Sequence, residues 1–167
     1  MEEGFEGLRA TPDDWQTHLN TLFPEVRLKR TVEVRGADSQ STGLTCALPA
    51  LTKGLFYDET ALSAAEALVS GLDHATVAAA RPMIARDGLR AELAGREVGE
   101  WADSLLSIAR SGLQRIAALD EEGRDESVHL EPLSQLLERG QTPAEALLEQ
   151  IDLEQPLAPQ LLRHARL

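Results

Sequence analysis

Glu33 and Arg35 stand two residues apart, and Arg27 and Lys29 precede them at the same even spacing. In an extended chain, side chains alternate between faces, so these four share one side with Thr31. Val26, Leu28, Val32 and Val34 take the other side, interrupted by Arg30. A face that carries a carboxylate among guanidinium and ammonium groups can hold a metal and an anionic substrate together. The same alternation also describes the wet face of an ordinary antiparallel sheet, so the pattern alone leaves both readings open.

The elements that must position these groups are mostly helices. The spacing predicts one strand within residues 23–38, stopped by the turn residues Gly36-Ala-Asp38. Before it, Thr11 is a good N-cap, with Pro12 at the first helical position and Asp13 and Asp14 in the first turn. Trp15, Leu19 and Leu22 give that helix an apolar stripe. Further helices are expected around Leu48 to Phe56, from Asp58 to about Ser70 with Gly71 as stop, and from Asp73 to Arg86. Pro82 must kink or end the last of these. The longest helix runs from about Glu97 to Leu119, with Val98, Trp101, Leu105, Ala109, Leu113 and Ile116 at helical spacing. Leu133, Leu136 and Leu137 mark another, closed by Gly140. Thr142-Pro-Ala-Glu145 is a capping-box signature, and Gln155-Pro-Leu-Ala-Pro159 reads as a tail. The fold class expected is mostly α with one functional β-strand, organised as helix plus strand (1–38), helical region (39–151) and tail (152–167).

A lone strand leaves its backbone groups without ladder partners. Either a weaker strand hides near Leu89 to Leu93, or the sheet comes from a missing N-terminal portion or a partner chain. Residues 26 to 35 are therefore expected to pair with no long strand inside the chain.

The 167 residues suffice for one core, and 43% are hydrophobic while 4% are aromatic. A net charge of −12 argues against nucleic acid and anionic membranes as partners. No apolar run reaches membrane-spanning length, and the acidic N-terminus does not resemble a signal. The single Cys46 cannot form an internal disulfide, which makes cytosol the natural compartment. A small buried thiol is the simplest reading of Cys46. His18 and His129 lack metal-ligand spacing and read as packed or capping residues.

Several ordered blocks resemble the glutamate–cysteine ligase family, in the form found in plants and many proteobacteria. They are Trp15-Gln-Thr-His18 running on through Phe23-Pro-Glu-Val-Arg-Leu-Lys-Arg30, then Glu33-Val-Arg-Gly-Ala-Asp38, Cys46-Ala-Leu-Pro-Ala50 and Gly54-Leu-Phe-Tyr-Asp58. The likeness continues through Ala109-Arg-Ser-Gly-Leu113, Gly123-Arg-Asp-Glu126, Leu130-Glu-Pro-Leu133 and Arg139-Gly-Gln-Thr-Pro-Ala-Glu145, and weakens after about Ile151. It is to the C-terminal part of longer enzymes, within the α+β fold of glutamine-synthetase-like carboxylate–amine ligases.

The resemblance implies an ATP-dependent, Mg2+-requiring ligation of the glutamate γ-carboxylate to the amine of cysteine through an acyl phosphate. That is the first step of glutathione synthesis. Glu-Val-Arg also resembles the last catalytic strand of glutamine synthetases. By that likeness Glu33 is a metal ligand and Arg35 a catalytic, substrate- or phosphate-contacting residue. Arg27 and Lys29 are candidate substrate contacts, with solvation as the alternative. No residue stands out as a nucleotide contact. In plant members the Cys of the block matching Cys46 joins a redox disulfide, whose partner would lie outside this chain.

Departures are equally visible. Gln40-Ser-Thr-Gly-Leu44 stands where many members have Gly-Pro-Trp-Arg-Arg, and Thr31 and Leu51-Thr-Lys53 replace more aromatic positions. The Trp- and Gly-rich ending of the family is absent from this sequence. Another glutamate–amine ligase of the superfamily, or a non-catalytic helical remnant or partner-binding module, therefore stays open. The chain alone is expected to be inactive.

Overall fold

A computed structural model describes Gly4 and residues 7–164. The chain divides into two units, Met1–Ser39 and Gln40–Leu167.

In the first unit, helix α1 (Pro12–Thr21) starts where its cap residues direct. Asp14 N–H donates to Thr11 Oγ1 at 3.2 Å, and Thr11 N–H donates to the Asp14 carboxylate at 2.8 Å. This reciprocal box satisfies two N–H groups that the first turn would otherwise leave unpaired. The helix ends before Phe23-Pro24, because the residue ahead of a proline is disfavoured in helical conformation.

The single strand expected over residues 23–38 is instead a hairpin. Strands β1 (Val26–Leu28) and β2 (Val32–Val34) pair antiparallel, with Arg27 opposite Glu33. Lys29-Arg30-Thr31 makes the turn, where Lys29 N–H donates to Thr31 O at 3.0 Å. Folding back gives a lone strand the ladder partners it lacks. The assignment of faces survives, because the register pairs odd positions with odd and even with even. Among the described residues the hairpin pairs with no further strand, and no sheet exceeds two strands.

The second unit is helical. Its elements are α2 (Thr42–Phe56), α3 (Glu59–Val69), α4 (His74–Asp87), α5 (Val98–Ile116), α6 (Glu131–Arg139), α7 (Pro143–Leu148) and α8 (Leu157–His164), with 3₁₀ turns at Gly88–Arg90 and Glu126–Leu130. Helices α2 and α5 form the central pair, and two glycines let their backbones touch. A Cβ on Gly54 would sit 2.3 Å from the Ala109 carbonyl oxygen, and one on Gly112 would sit 2.1 Å from the Gly54 carbonyl oxygen. Around this contact lies the core of Ala50, Leu55, Leu106, Ala109, Leu113 and Leu130. The α5 stripe is therefore centred on Leu106, Ala109 and Leu113, with Leu105 partly covered at its margin.

Several boundaries differ from the sequence expectation. Helix α2 begins at Thr42, six residues ahead of Leu48, and accommodates Pro49 in its interior. Helix α4 runs to Asp87, one residue beyond the expected Arg86, and Pro82 does not end it. Packing of α2 on α5 offsets the local penalty of Pro49. The weak strand near Leu89 to Leu93 exists as β3 (Glu92–Leu93), but its partner is β4 (Arg96–Glu97) rather than the first hairpin. Ala94 and Gly95 join them with φ of 53° and 75°, the left-handed pair that a tight two-residue turn requires. The expected tail from Gln155 is largely helix α8. Gln160 fastens it, accepting from Asp152 N–H at 2.7 Å and donating to Asp152 O at 2.9 Å.

The remaining caps match the sequence reading. Asp58 accepts from Ala61 N–H at 2.8 Å, Thr142 and Glu145 form a second reciprocal box, and Gly140 ends α6 with φ of 60°. No helix among the described residues is long and apolar enough to cross a membrane.

Candidate functional site

The hairpin inverts the usual order of burial. Val26, Leu28, Val32 and Val34 are all exposed, Leu28 at 78%. Among residues 7–39, Arg27 and Arg35 are the only two that are not in the exposed class. Their side chains retain 25% and 19% of their exposure, while Glu33 between them retains 45%.

Cross-strand pairing builds this cluster. On one continuous strand Arg27 and Glu33 would lie about 20 Å apart. In the hairpin they are directly opposite, and both Nε and Nη2 of Arg27 donate to Glu33 Oε2, at 2.8 and 2.6 Å. Arg35 follows Glu33 on the same face, with its Nε 3.7 Å from Glu33 Oε1. The Arg27 hydrogen bond, aided by the charges of Arg35 and Lys29, holds the Glu33 carboxyl below the usual carboxylate range. Glu33 is thus an anion that organises two guanidinium groups.

Arg35 is held from two further directions. Its backbone N–H donates to Glu25 O at 2.7 Å, closing the hairpin beyond β1 and β2. Its guanidinium carbon lies 4.6 Å from the centre of the Phe23 ring. Its Nη1 is buried with no hydrogen-bond partner. Sequence reasoning did not single out Phe23, because a lone aromatic ahead of a proline carries no spacing signal.

Three cations around one carboxylate suit an anion better than a metal. No group of three or more His, Cys, Asp or Glu suitable for a metal occurs among the described residues. Glu33 can supply at most one ligand, and its Oε2 already accepts twice from Arg27.

Other singled-out residues fall outside this cluster. Cys46 is exposed on α2 rather than buried, because it lies one residue from the inward position of Ala47. His18 stacks near Trp15 at 5.7 Å between ring centroids, and His129 lies in the 3₁₀ turn Glu126–Leu130. Gln40-Ser-Thr-Gly-Leu44 is the lead-in and first turn of α2. In the helical unit, Lys53 pairs with Glu126, Arg115 with Asp58 at 2.7 Å, and Arg90 with Glu145 at 2.6 Å. A cavity of about 600 Å3 borders Arg90, Arg96, Glu100 and Asp103, but its arginines are already engaged by Glu145, Glu100 and Ser104.

Residues 2–163 match the family described as glutamate-cysteine ligase family 2. The chain belongs to that family. Among similar curated proteins, glutamate–cysteine ligase A, chloroplastic, of Oryza sativa subsp. indica is 36% identical over 142 residues, covering 85% of this chain and 28% of the relative. The chloroplastic glutamate–cysteine ligases of Brassica juncea and Arabidopsis thaliana are each 37% identical, over 143 and 137 residues, with 27% and 25% of their lengths covered. This member of the glutamate–cysteine ligase family thus spans about a quarter of the curated relatives it matches.

Proposed function

We propose that this chain forms the C-terminal part of an ATP-dependent ligase that joins the glutamate γ-carboxylate to the amine of cysteine. The observation that carries this reading is the hairpin cluster, where Arg27 and Arg35 are the covered residues and bracket Glu33. Family membership supports the same chemistry.

In the reaction a glutamate carboxylate oxygen attacks the γ-phosphorus of ATP, and ADP leaves. The cysteine nitrogen then attacks the acyl carbon, phosphate departs, and the nitrogen loses a proton to give γ-glutamylcysteine. Both steps concentrate negative charge on phosphoryl and carboxylate oxygens. Fixed cations stabilise such charge without reorganising. Arg35 is proposed to contact the reacting oxygens, with Arg27 and Lys29 holding the anionic substrate. Glu33 keeps the two guanidiniums in place and would be the hairpin's ligand to a bound Mg2+. Bound magnesium would neutralise the transferring phosphoryl group.

A two-stranded hairpin is marginal alone. The proposal therefore includes further antiparallel strands, from an N-terminal region or a partner chain, that cover the valine face and complete a glutamine-synthetase-like sheet. The exposed Val26, Leu28, Val32 and Val34 support this. A reducing aqueous compartment suits the single thiol, and cytosol is the compartment proposed, although the relatives above are named chloroplastic.

Substrate-dependent ADP release tests the reading. The purified chain should show none with glutamate, cysteine, ATP and magnesium. A ligase in which this chain replaces the matching quarter of a plant relative should turn over. Robust activity of the chain alone would refute the need for completion. An inactive but folded and ATP-binding chimera would favour the non-catalytic reading, and activity only with another amine would change the substrate.

A further inference from the structure

The Arg35 guanidinium combines three features that no other side chain of the first unit combines among the described residues. It lies over an aromatic ring, it sits beside a carboxylate that does not fully engage it, and it retains a buried donor without a partner. The ion pair with Glu33 is long, at 3.7 Å between Nε and Oε1, beyond hydrogen-bonding reach. Arg27 has taken the stronger hold on that carboxylate. The remaining contacts that place Arg35 are the Phe23 ring, 4.6 Å from its guanidinium carbon, and the backbone bond from Arg35 to Glu25. A planar cation stacked on a ring face gains attraction while its edge donors remain free. A buried charged donor without a partner is costly, and an oxyanion relieves that cost.

We propose that Phe23 is a positioning residue, whose ring holds the Arg35 guanidinium so that it is presented to a phosphoryl or carboxylate oxygen of the substrate. This rests on the role of Arg35 proposed above and adds the group that orients it. Phe23 itself is 79% exposed, so packing within the described structure gives no competing reason for a large aromatic there. Pro24 follows it and restricts its backbone to extended conformations, which fixes the direction from which the ring approaches.

The test titrates the full 167-residue chain separately with inorganic phosphate and with glutamate, following the 1H–15N signals of Arg35 Nε, of Arg27 Nε and of the backbone of residues 33 to 35. In the unmodified chain the Arg35 signal should shift with at least one of these anions. A response to phosphate alone assigns a phosphoryl oxygen, and a response to glutamate alone assigns a carboxylate. Phe23→Ala should weaken the anion affinity at least five-fold, while the Arg27 signal, which reports its bond to Glu33, stays in place. Phe23→Tyr and Phe23→Trp should restore affinity to within about two-fold, because either ring offers a face to the cation. That rescue separates positioning from a general loss of hairpin structure. Equal affinity in Phe23→Ala and the unmodified chain overturns the proposal, as does an Arg35 signal that responds to neither anion. Arg35→Lys, read like the other variants through the backbone 1H–15N signals of residues 33 to 35, tells the two readings apart. If it loses binding while Phe23→Ala keeps it, only the positioning role falls. If Arg35→Lys binds as well as the unmodified chain, the role of Arg35 falls too.

Discussion

The hairpin and the helical unit treat their conspicuous side chains in opposite ways. In the helical unit, an apolar core forms around the contact of α2 and α5, and charges pair at the surface. Leu113 and Leu130 are fully buried, and Asp58 meets Arg115 across α3 and α5. In the hairpin, arginines are the covered residues and valines lie in the open. The helical unit therefore has its own reason to fold, because burial of apolar surface drives it. The hairpin has a local reason to be ordered, its charged pairing, and an apolar face that is exposed among the described residues. The residues proposed to carry chemistry sit on the hairpin and are not members of the buried apolar cluster.

Substitutions can break or sharpen this contrast. Leu113→Ala should have the largest effect, lowering stability by about 3 kcal/mol, since it empties a fully buried position in the α2–α5 contact. Thermal unfolding followed by circular dichroism measures it. Gly112→Ala comes next. Alanine favours helix by about 1 kcal/mol over glycine, but the new Cβ would overlap the Gly54 carbonyl oxygen. A net loss of about 2 kcal/mol is expected, because backbone cannot move aside as a flexible side chain can. A stabilised Gly112→Ala would show that the two helices do not touch there.

Asp58→Ala should lower the melting temperature by only a few degrees, through loss of the α3 cap and of the Arg115 pair. The pH dependence has a definite sign. The Arg115 hydrogen bond, then the Ala61 N–H, depress the Asp58 pKa in the folded chain. Its contribution is complete above about pH 5 and is lost as pH falls through the depressed value. Glu145, lowered to about 2 chiefly by the Thr142 backbone N–H, behaves the same way. Melting curves of Asp58→Ala and the parent chain should converge toward acid pH. The smallest effect belongs to Val34→Thr, which should leave stability within about 0.5 kcal/mol, as at exposed positions generally. A large drop there would mean that the valine face is already covered.

How much of this was legible in the sequence depends on how local the cause is. Thr11, Asp58, Gly140 and Thr142 act on neighbours within a few residues, and their roles could be read from spacing alone. The facing of residues 26–35 was legible for the same reason, since alternation is local. The turn was not. Lys29-Arg30-Thr31 has no Gly, Asn or Pro to announce it, and what folds it is pairing across the hairpin. Pro82 left a kink or an end open, and the helix continues past it to Asp87. The Arg27–Glu33 pair and the Phe23–Arg35 stack are products of register, which alternation does not specify until the turn is known.

The most direct test of the account pairs two readings on one variant. Glu33→Gln keeps the size of the side chain and removes its charge. In the active ligase completed with this chain, turnover should fall at least roughly 100-fold, as for loss of one preorganised electrostatic group. The melting temperature should stay unchanged, because Glu33 is 45% exposed and is not part of the apolar core. An almost unchanged rate, with unchanged magnesium dependence, would return Glu33 to an ordinary solvated face and contradict the account.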